Sequence, residues 1–231
     1  MKIQLISATT LSTLILCLGG IVNAAESSGS SFNVHDFGAV GDGKTLDSPA
    51  IDKAIDAAAA AGGGTVFVPS GTYLSGSIHL KSNIHLVIGM GATILGAPQN
   101  MNVYDETEPY TLGGYQDGGH CYFHNSLIWG ENLTNVSITG DGTIAGGGLV
   151  REDRILDDMV GFNKLNPPVT TNAPPVRLGN KAISLKLCKN VLLRDFTIFH
   201  GGHFAILVTG CDNMTVDNVT MDTDRDGIDI D

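Results

Sequence analysis

The sequence predicts an all-β fold: a right-handed, single-stranded parallel β-helix, a solenoid with an N-terminal capping helix. Three observations predict it. From Thr65 onward, short β-forming runs alternate with Gly and Asn turns. The segment Cys188-Lys189-Asn190-Val191-Leu192-Leu193-Arg194-Asp195-Phe196-Thr197-Ile198 recurs as Cys211 to Met221, a step of 23 residues. A single helical pattern precedes the first β run. A period near 23 with several short strands suits a solenoid coil. A leucine-rich repeat would need regularly spaced Leu, and a β-sandwich would leave the repeated Cys-x-Asn pattern unexplained.

The elements follow in order. Met1-Lys2, the mostly apolar run Leu5 to Val22 and the small-residue spacing of Val22-Asn23-Ala24 predict a signal peptide over residues 1–24. Ser7, Thr9, Thr10, Ser12 and Thr13 interrupt that run and disfavour an uncleaved anchor. No other stretch approaches the ~20 apolar residues that span a bilayer. Residues 25–231 are therefore expected to form one exported β-helix domain, secreted or periplasmic. Losing the signal removes one Lys and no acid, moving the net charge from −11 to −12. That balance argues against nucleic acid and anionic membranes as partners.

Asp47-Ser48-Pro49 predicts a helix start, with a capping side chain and Pro in the first turn. Ala50 to Ala61 continues it with Ile51 and Ile55 on one face, and Gly62-Gly63-Gly64 ends it. Strands are expected at Val66-Phe67-Val68, Ser77 to Leu80, Ile84 to Ile88 and Ala92 to Leu95. Asn83, Asn135, Asn190 and Asn213 occupy like positions and are expected to stack at turns. The steps of 52 and 55 residues between the first three read as two coils each. Alternation sends Val191, Leu193, Phe196 and Ile198 inward.

Cys17 leaves with the signal, so Cys121, Cys188 and Cys211 remain. Cys188 and Cys211 hold equivalent places in successive coils, within disulfide range. A ladder of small apolar side chains is the favoured reading, because stacked side chains rarely present the disulfide torsion. Insertions at Pro98–Asn125 and Val150–Val176 have the composition of functional loops. His120, Cys121 and His124 lack a fourth metal ligand. Tyr110, Tyr115, Tyr122 and Phe123 suit either a sugar-stacking wall or packing onto the solenoid.

Five Asp fall in the last ten residues: Asp222, Asp224, Asp226, Asp229 and Asp231. Asp222 to Gly227 opens like a calcium loop, then fails at Asp229 and for want of a Glu. A solvated acidic turn is a second reading. The alternation of Gly227 to Asp231 is strand-like, placing Asp229 and Asp231 on one face and Ile228 and Ile230 in the core. That is a row of outward carboxylates, and catalysis is the third reading.

Here a resemblance enters. Asp224-Arg225-Asp226-Gly227-Ile228-Asp229-Ile230 resembles the Asn-Thr-Asp-Gly-x-Asp signature of family 28 glycoside hydrolases, the polygalacturonases. Phe37 to Thr45, Leu127 to Asn132 and Ile138 to Ile144 resemble the entry and middle segments of such pectin-active β-helices. The resemblance implies a glycosidase that cleaves pectic, galacturonan-type polysaccharides with inversion, as a monomer without cofactor or metal. It implies Asp226 as a water-activating base, with Asp224, Arg225, Asp229 and His203 as substrate-binding residues. Arg225 is expected near substrate or paired with Asp222. Asp224 and Arg225 depart from the signature's Asn and Thr, which loosens the inference to galacturonan. In the family, Gly-Asp-Asp with the general acid, Gly-His-Gly and Arg-x-Lys follow about one coil later. No Gly-Asp-Asp stands in this chain, and Asp157-Asp158 is a poor substitute. The chain alone is therefore expected to lack the general acid, to be inactive and to leave its last coil uncapped. The alternatives are a calcium-dependent lyase and a non-catalytic carbohydrate-binding solenoid. Asn-x-Ser/Thr sequons begin at Asn132, Asn135, Asn213 and Asn218.

Overall fold

The chain winds through three parallel sheets, one short strand per sheet in each turn. The computed structural model describes residues 30–109, 118–150, 178–223 and 225–231. The expected signal peptide, Tyr110, Tyr115, Asp157-Asp158 and Asp224 lie outside them.

The first sheet stacks β1 (Ser31–Asn33), β3 (Gly64–Val68), β6 (Ile84–Ile88), β9 (Thr134–Thr139), β12 (Lys189–Arg194) and β15 (Asp212–Asp217). The second stacks β2 (Asp42–Leu46), β4 (Gly71–Ser75), β7 (Ala92–Gly96), β10 (Thr143–Ala145), β13 (Thr197–Phe199) and β16 (Thr220–Asp222). The third holds β5 (Ile78–His79), β8 (Ile128–Glu131), β11 (Lys181–Lys186), β14 (Phe204–Thr209) and β17 (Asp226–Ile230). This is the right-handed parallel β-helix that the repeats predict.

Each sheet sends one apolar row into a shared core. The rows are Val66–Leu86–Ile138–Leu193–Val216, Tyr73–Ile94–Ile144–Ile198–Met221 and Ile78–Ile128–Ile183–Ile206–Ile228. Residues of the same kind stack because parallel register places equivalent positions ~4.8 Å apart, where β-branched side chains interdigitate. Leu193, Ile198 and Ile206 are fully buried, whereas Val216 and Ile228, in the outermost strands, keep 37% exposure each. Ile228 thus continues a core row only partly covered, whereas Ile230, in register with Val208, is 66% exposed and falls short of the expected burial because no further coil covers it among the described residues.

At the other end, helix α1 (Ser48–Ala60) buries Ile51, Ala54, Ile55 and Ala58 in the same core. Gly62 closes it at φ 94, the left-handed conformation glycine adopts without a Cβ clash. The start of the helix corrects the sequence reading. Asp47 makes no side-chain cap; its carboxylate accepts from the backbone N–H groups of Val40 (2.7 Å) and Gly41 (3.0 Å). The loop before the helix competes for the carboxylate and wins.

The long steps between Asn residues need a second correction. β6 pairs directly with β9, and β9 with β12, so 52 and 55 residues each make one coil and not two. The surplus residues are the two insertions, which leave between β7 and β8 and between β10 and β11. The stacked Asn turn is otherwise as expected. Asn135 Nδ2 donates to Asn83 Oδ1 (2.9 Å), Asn190 to Asn135 (2.9 Å) and Asn213 to Asn190 (2.8 Å). All four are left-handed, with φ between 54 and 63, a region Asn tolerates better than branched residues.

Candidate active site

Both insertions leave at the turn that leads into the third sheet, and the first brings His120 and Asp105 to side chains of that sheet. Asp226 and Asp229 stand in register with Phe204 and Leu207 of β14. Phe204 and Leu207 pack with Phe123 in a small cluster apart from the main core. Asp226 and Asp229 both line an open cavity against this strand, while Ile228 between them stands in register with the buried Ile206. The strand thus offers Asp226 and Asp229 to one cavity, and Asp231 follows the end of β17.

The short helix α2 (Gly118–Cys121) reaches this strand from the first insertion. His120 Nε2 lies 3.3 Å from Asp229 Oδ2, and its ring meets Phe204 edge-on at 4.7 Å. His120, Phe204, Asp226, Gly227, Ile228 and Asp229 line an open cavity of ≈ 310 Å³. The Asp226 side chain is 61% exposed there.

Arg225 turns back beneath the carboxylates. Its Nε is 3.9 Å from Asp226 Oδ2, and it donates a 2.7 Å hydrogen bond to His203 Nδ1. A guanidinium only donates, so His203 Nδ1 accepts and the proton of the neutral ring sits on Nε2. His203 is fully buried, with its ring against Phe204 at 4.4 Å. It reaches the site through Arg225 and not by facing the cavity. Arg225 thus reaches both Asp226 and His203.

A second polar cluster on the same face escaped the sequence reading. His79 Nδ1 donates to Asp52 of α1 and Nε2 to Asp105 of the first insertion, both at 2.7 Å. Trp129 Nε1 donates to the same Asp105 oxygen at 2.7 Å. The hydrogen bonds to Asp105 and then to Asp52 push His79 up to about 10, against the opposing effect of burial. Burial opposes ionisation of Asp105, yet the bond from His79 prevails and holds its carboxyl below the ordinary value. Beyond it, His124 stacks on Trp129 at 4.0 Å, and Glu131 accepts from His124 (3.0 Å) and pairs with Lys186 (3.3 Å). The signal lay in the alternation of Ile78-His79 and Ile128-Trp129-Gly130-Glu131, which turns the polar members outward.

His120 and His124 take different partners, and among the described residues no three His, Cys, Asp or Glu converge as a metal site. Tyr122 and Phe123 are buried, so packing and not a sugar-stacking wall accounts for them. Among the described residues no helix is long and apolar enough to cross a membrane.

Comparison with known proteins extends over this geometry. The chain is 37% identical over 139 residues to the "Probable polygalacturonase" of Vitis vinifera, covering 56% of this chain and 28% of that one. It is 52% identical over 136 residues to alginate lyase 7 of Azotobacter vinelandii, covering 47% and 16%. It is 35% identical over 192 residues to plasmin and fibronectin-binding protein A of Streptococcus pneumoniae, covering 82% and 24%. The chain thus spans less than a third of each of these relatives. Among solved structures, an exopolygalacturonase from Thermotoga maritima superposes with a TM-score of 0.65 at 26% identity, covering 84% of this chain and 47% of that one. Residues 31–231 match the family model described as rhamnogalacturonase A/epimerase, pectate lyase-like. With its three stacked parallel sheets and its acidic outer strand, the chain belongs to that family of polygalacturonase-like β-helices.

Proposed function

We propose that this β-helix is part of a glycosidase that hydrolyses pectic, galacturonan-type polysaccharides, with Asp226 as the water-activating base. The observation that carries the reading is the exposed Asp226 carboxylate beside Asp229 in an open cavity on a solenoid face. A polysaccharide laid along that face would present a glycosidic bond to β17.

The chemistry follows from the groups present. Asp226 takes a proton from water, which attacks the anomeric carbon as the glycosidic C–O bond breaks; the leaving oxygen takes its proton from a general acid on the opposite side, a carboxylic acid that the whole protein must add to these residues. Asp229, fixed by His120, holds the sugar or the water. Arg225 provides the cation beside Asp226 and a partner for a uronate carboxylate, and His203 positions Arg225. Asp224 joins the substrate-binding set by its place in the motif. The polyanion has to meet this local cation, since the protein as a whole carries net charge −11. The reaction needs no cofactor or metal. We further infer an extracytoplasmic monomer with the signal peptide at residues 1–24, engaging neither nucleic acid nor membrane.

The test is release of reducing ends from polygalacturonate by the whole enzyme that contains this β-helix, general acid included, and by its Asp226→Asn variant. Loss of at least a hundredfold is expected, and retained cleavage overturns the assignment. Hydrolysis persists in chelator and leaves saturated product ends; a chelator-sensitive reaction with unsaturated ends would mark a lyase. The 52% identity to an alginate lyase favours a second reading of the substrate, as a mannuronan-type uronan. Alginate assayed in parallel separates the two.

A further inference from the structure

The turn from the third sheet into the first carries two thiols that the proposed chemistry does not use. Cys188 and Cys211 follow residues in the same left-handed conformation, Leu187 at φ 54 and Gly210 at φ 61. Their neighbours Lys189 and Asp212 are paired in register. The Asp212 N–H donates to Cys188 O at 2.8 Å, and the Cys188 N–H donates to Cys211 Sγ at 3.3 Å. One sulfur therefore already lies against the backbone of the other residue. Adjacent strands lie ~4.8 Å apart, inside the Cα separation that a disulfide spans. The coil before offers Leu133 at this place, its carbonyl accepting from Lys189 N–H at 2.8 Å. A purely apolar column could have continued with such a side chain; it changes to two stacked cysteines instead.

We propose that Cys188 and Cys211 form an oxidative modification site, closing a disulfide between successive coils when the protein meets an external disulfide. The bond would close a ring from 188 to 211 that contains His203 and Phe204, bracing the coil behind Arg225 and the cavity wall. This does not depend on the reaction assigned to Asp226.

The two sulfurs are unequal in the way such exchange needs. Cys188 is buried and Cys211 half-buried, so an outside reagent reaches Cys211 first. The hydrogen bond between the thiols, foremost, lowers Cys211 to about 7, and the same bond with burial pushes Cys188 up. The Cys211 thiolate attacks one sulfur of oxidised glutathione, forming a mixed disulfide and releasing one glutathione thiolate. Cys188 then gives its proton to solvent, and its sulfur displaces the second glutathione as the Cys188–Cys211 bond forms. The protein loses two electrons and two protons, and one glutathione disulfide becomes two thiols.

The experiment equilibrates the full chain with oxidised and reduced glutathione, alkylates the remaining thiols and maps the peptides without reduction. The expected result is a Cys188–Cys211 cross-linked peptide, about 2 Da lighter than the two thiol peptides together, which separates on reduction. It persists in Cys121→Ala and is absent from Cys211→Ala. Recovery of both peptides alkylated, as stable glutathione adducts, or linked to another cysteine overturns the proposal.

Discussion

The buried imidazole of His203 accepts a 2.7 Å hydrogen bond from Arg225, whose Nε lies 3.9 Å from Asp226. The pair converts a flexible side chain into a cation with a fixed direction. An ammonium group cannot reproduce the planar fork. Arg225→Lys is expected to lower kcat/KM for polysaccharide cleavage about tenfold, roughly 1.4 kcal/mol. His203→Gln should do the same, and the double variant should lose little more than either single one. Strictly additive losses would show that the two residues act separately.

His79 links the capping helix to the first insertion through Asp52 and Asp105. Its folded value lies at about 10 against 6.5 in an open chain, so the stabilisation is complete below pH 6.5 and lost as the pH rises to about 10. Asp105, held below 3.8, adds the opposite limb, lost as the pH falls below that value. The His79 side chain is 39% exposed, and solvent screening limits such a pair to about 1 kcal/mol, or ~2–4 °C at this chain length. The melting temperature should fall by that amount between pH 6.5 and 10 in the parent protein. In Asp105→Asn the slope should flatten. An unchanged slope would mean that His79 is not the titrating group.

The Asn column lends itself to dissection. Asn190 both donates to Asn135 and accepts from Asn213, and it sits at φ 56. Asn190→Ala loses two exposed amide bonds and takes the strain of a left-handed Cβ, for a destabilisation of about 2 kcal/mol. Asn190→Gly loses the bonds without the strain and should cost about 1 kcal/mol. Denaturant midpoints measure both. Equal costs would show that the ladder carries no backbone component.

The solenoid was legible because stacking enforces self-similarity. Asn190 and Asn213 read as equivalents since each coil must solve the same turn as its neighbour. Coil length was not legible. The 52-residue step from Asn83 to Asn135 looks like two periods, and only the pairing of β6 with β9 reveals one coil with an insertion. Asp226 and Asp229 were visible as a motif, yet simple alternation paired Asp229 with Asp231. That Asp226 and Asp229 line one cavity with His120 and Phe204 emerges only from the fold. His120, Asp105 and His203 act across more than 20 residues of sequence, and no local pattern encodes such partners.

Asp47 offers a sharp test of one such competition. A helix cap and a loop anchor make different demands on the side chain: Ser satisfies the first, but its hydroxyl is too short for the second. The Asp47 carboxylate is 1% exposed and accepts from both Val40 and Gly41. Removing it leaves two backbone donors without their partner, at about 2–4 kcal/mol. Asp47→Ser should therefore be destabilised nearly as much as Asp47→Ala. Capping would instead make Ser close to neutral. Urea titration of the three proteins distinguishes these outcomes, and a stable Asp47→Ser would return the residue to the role that its sequence position suggests.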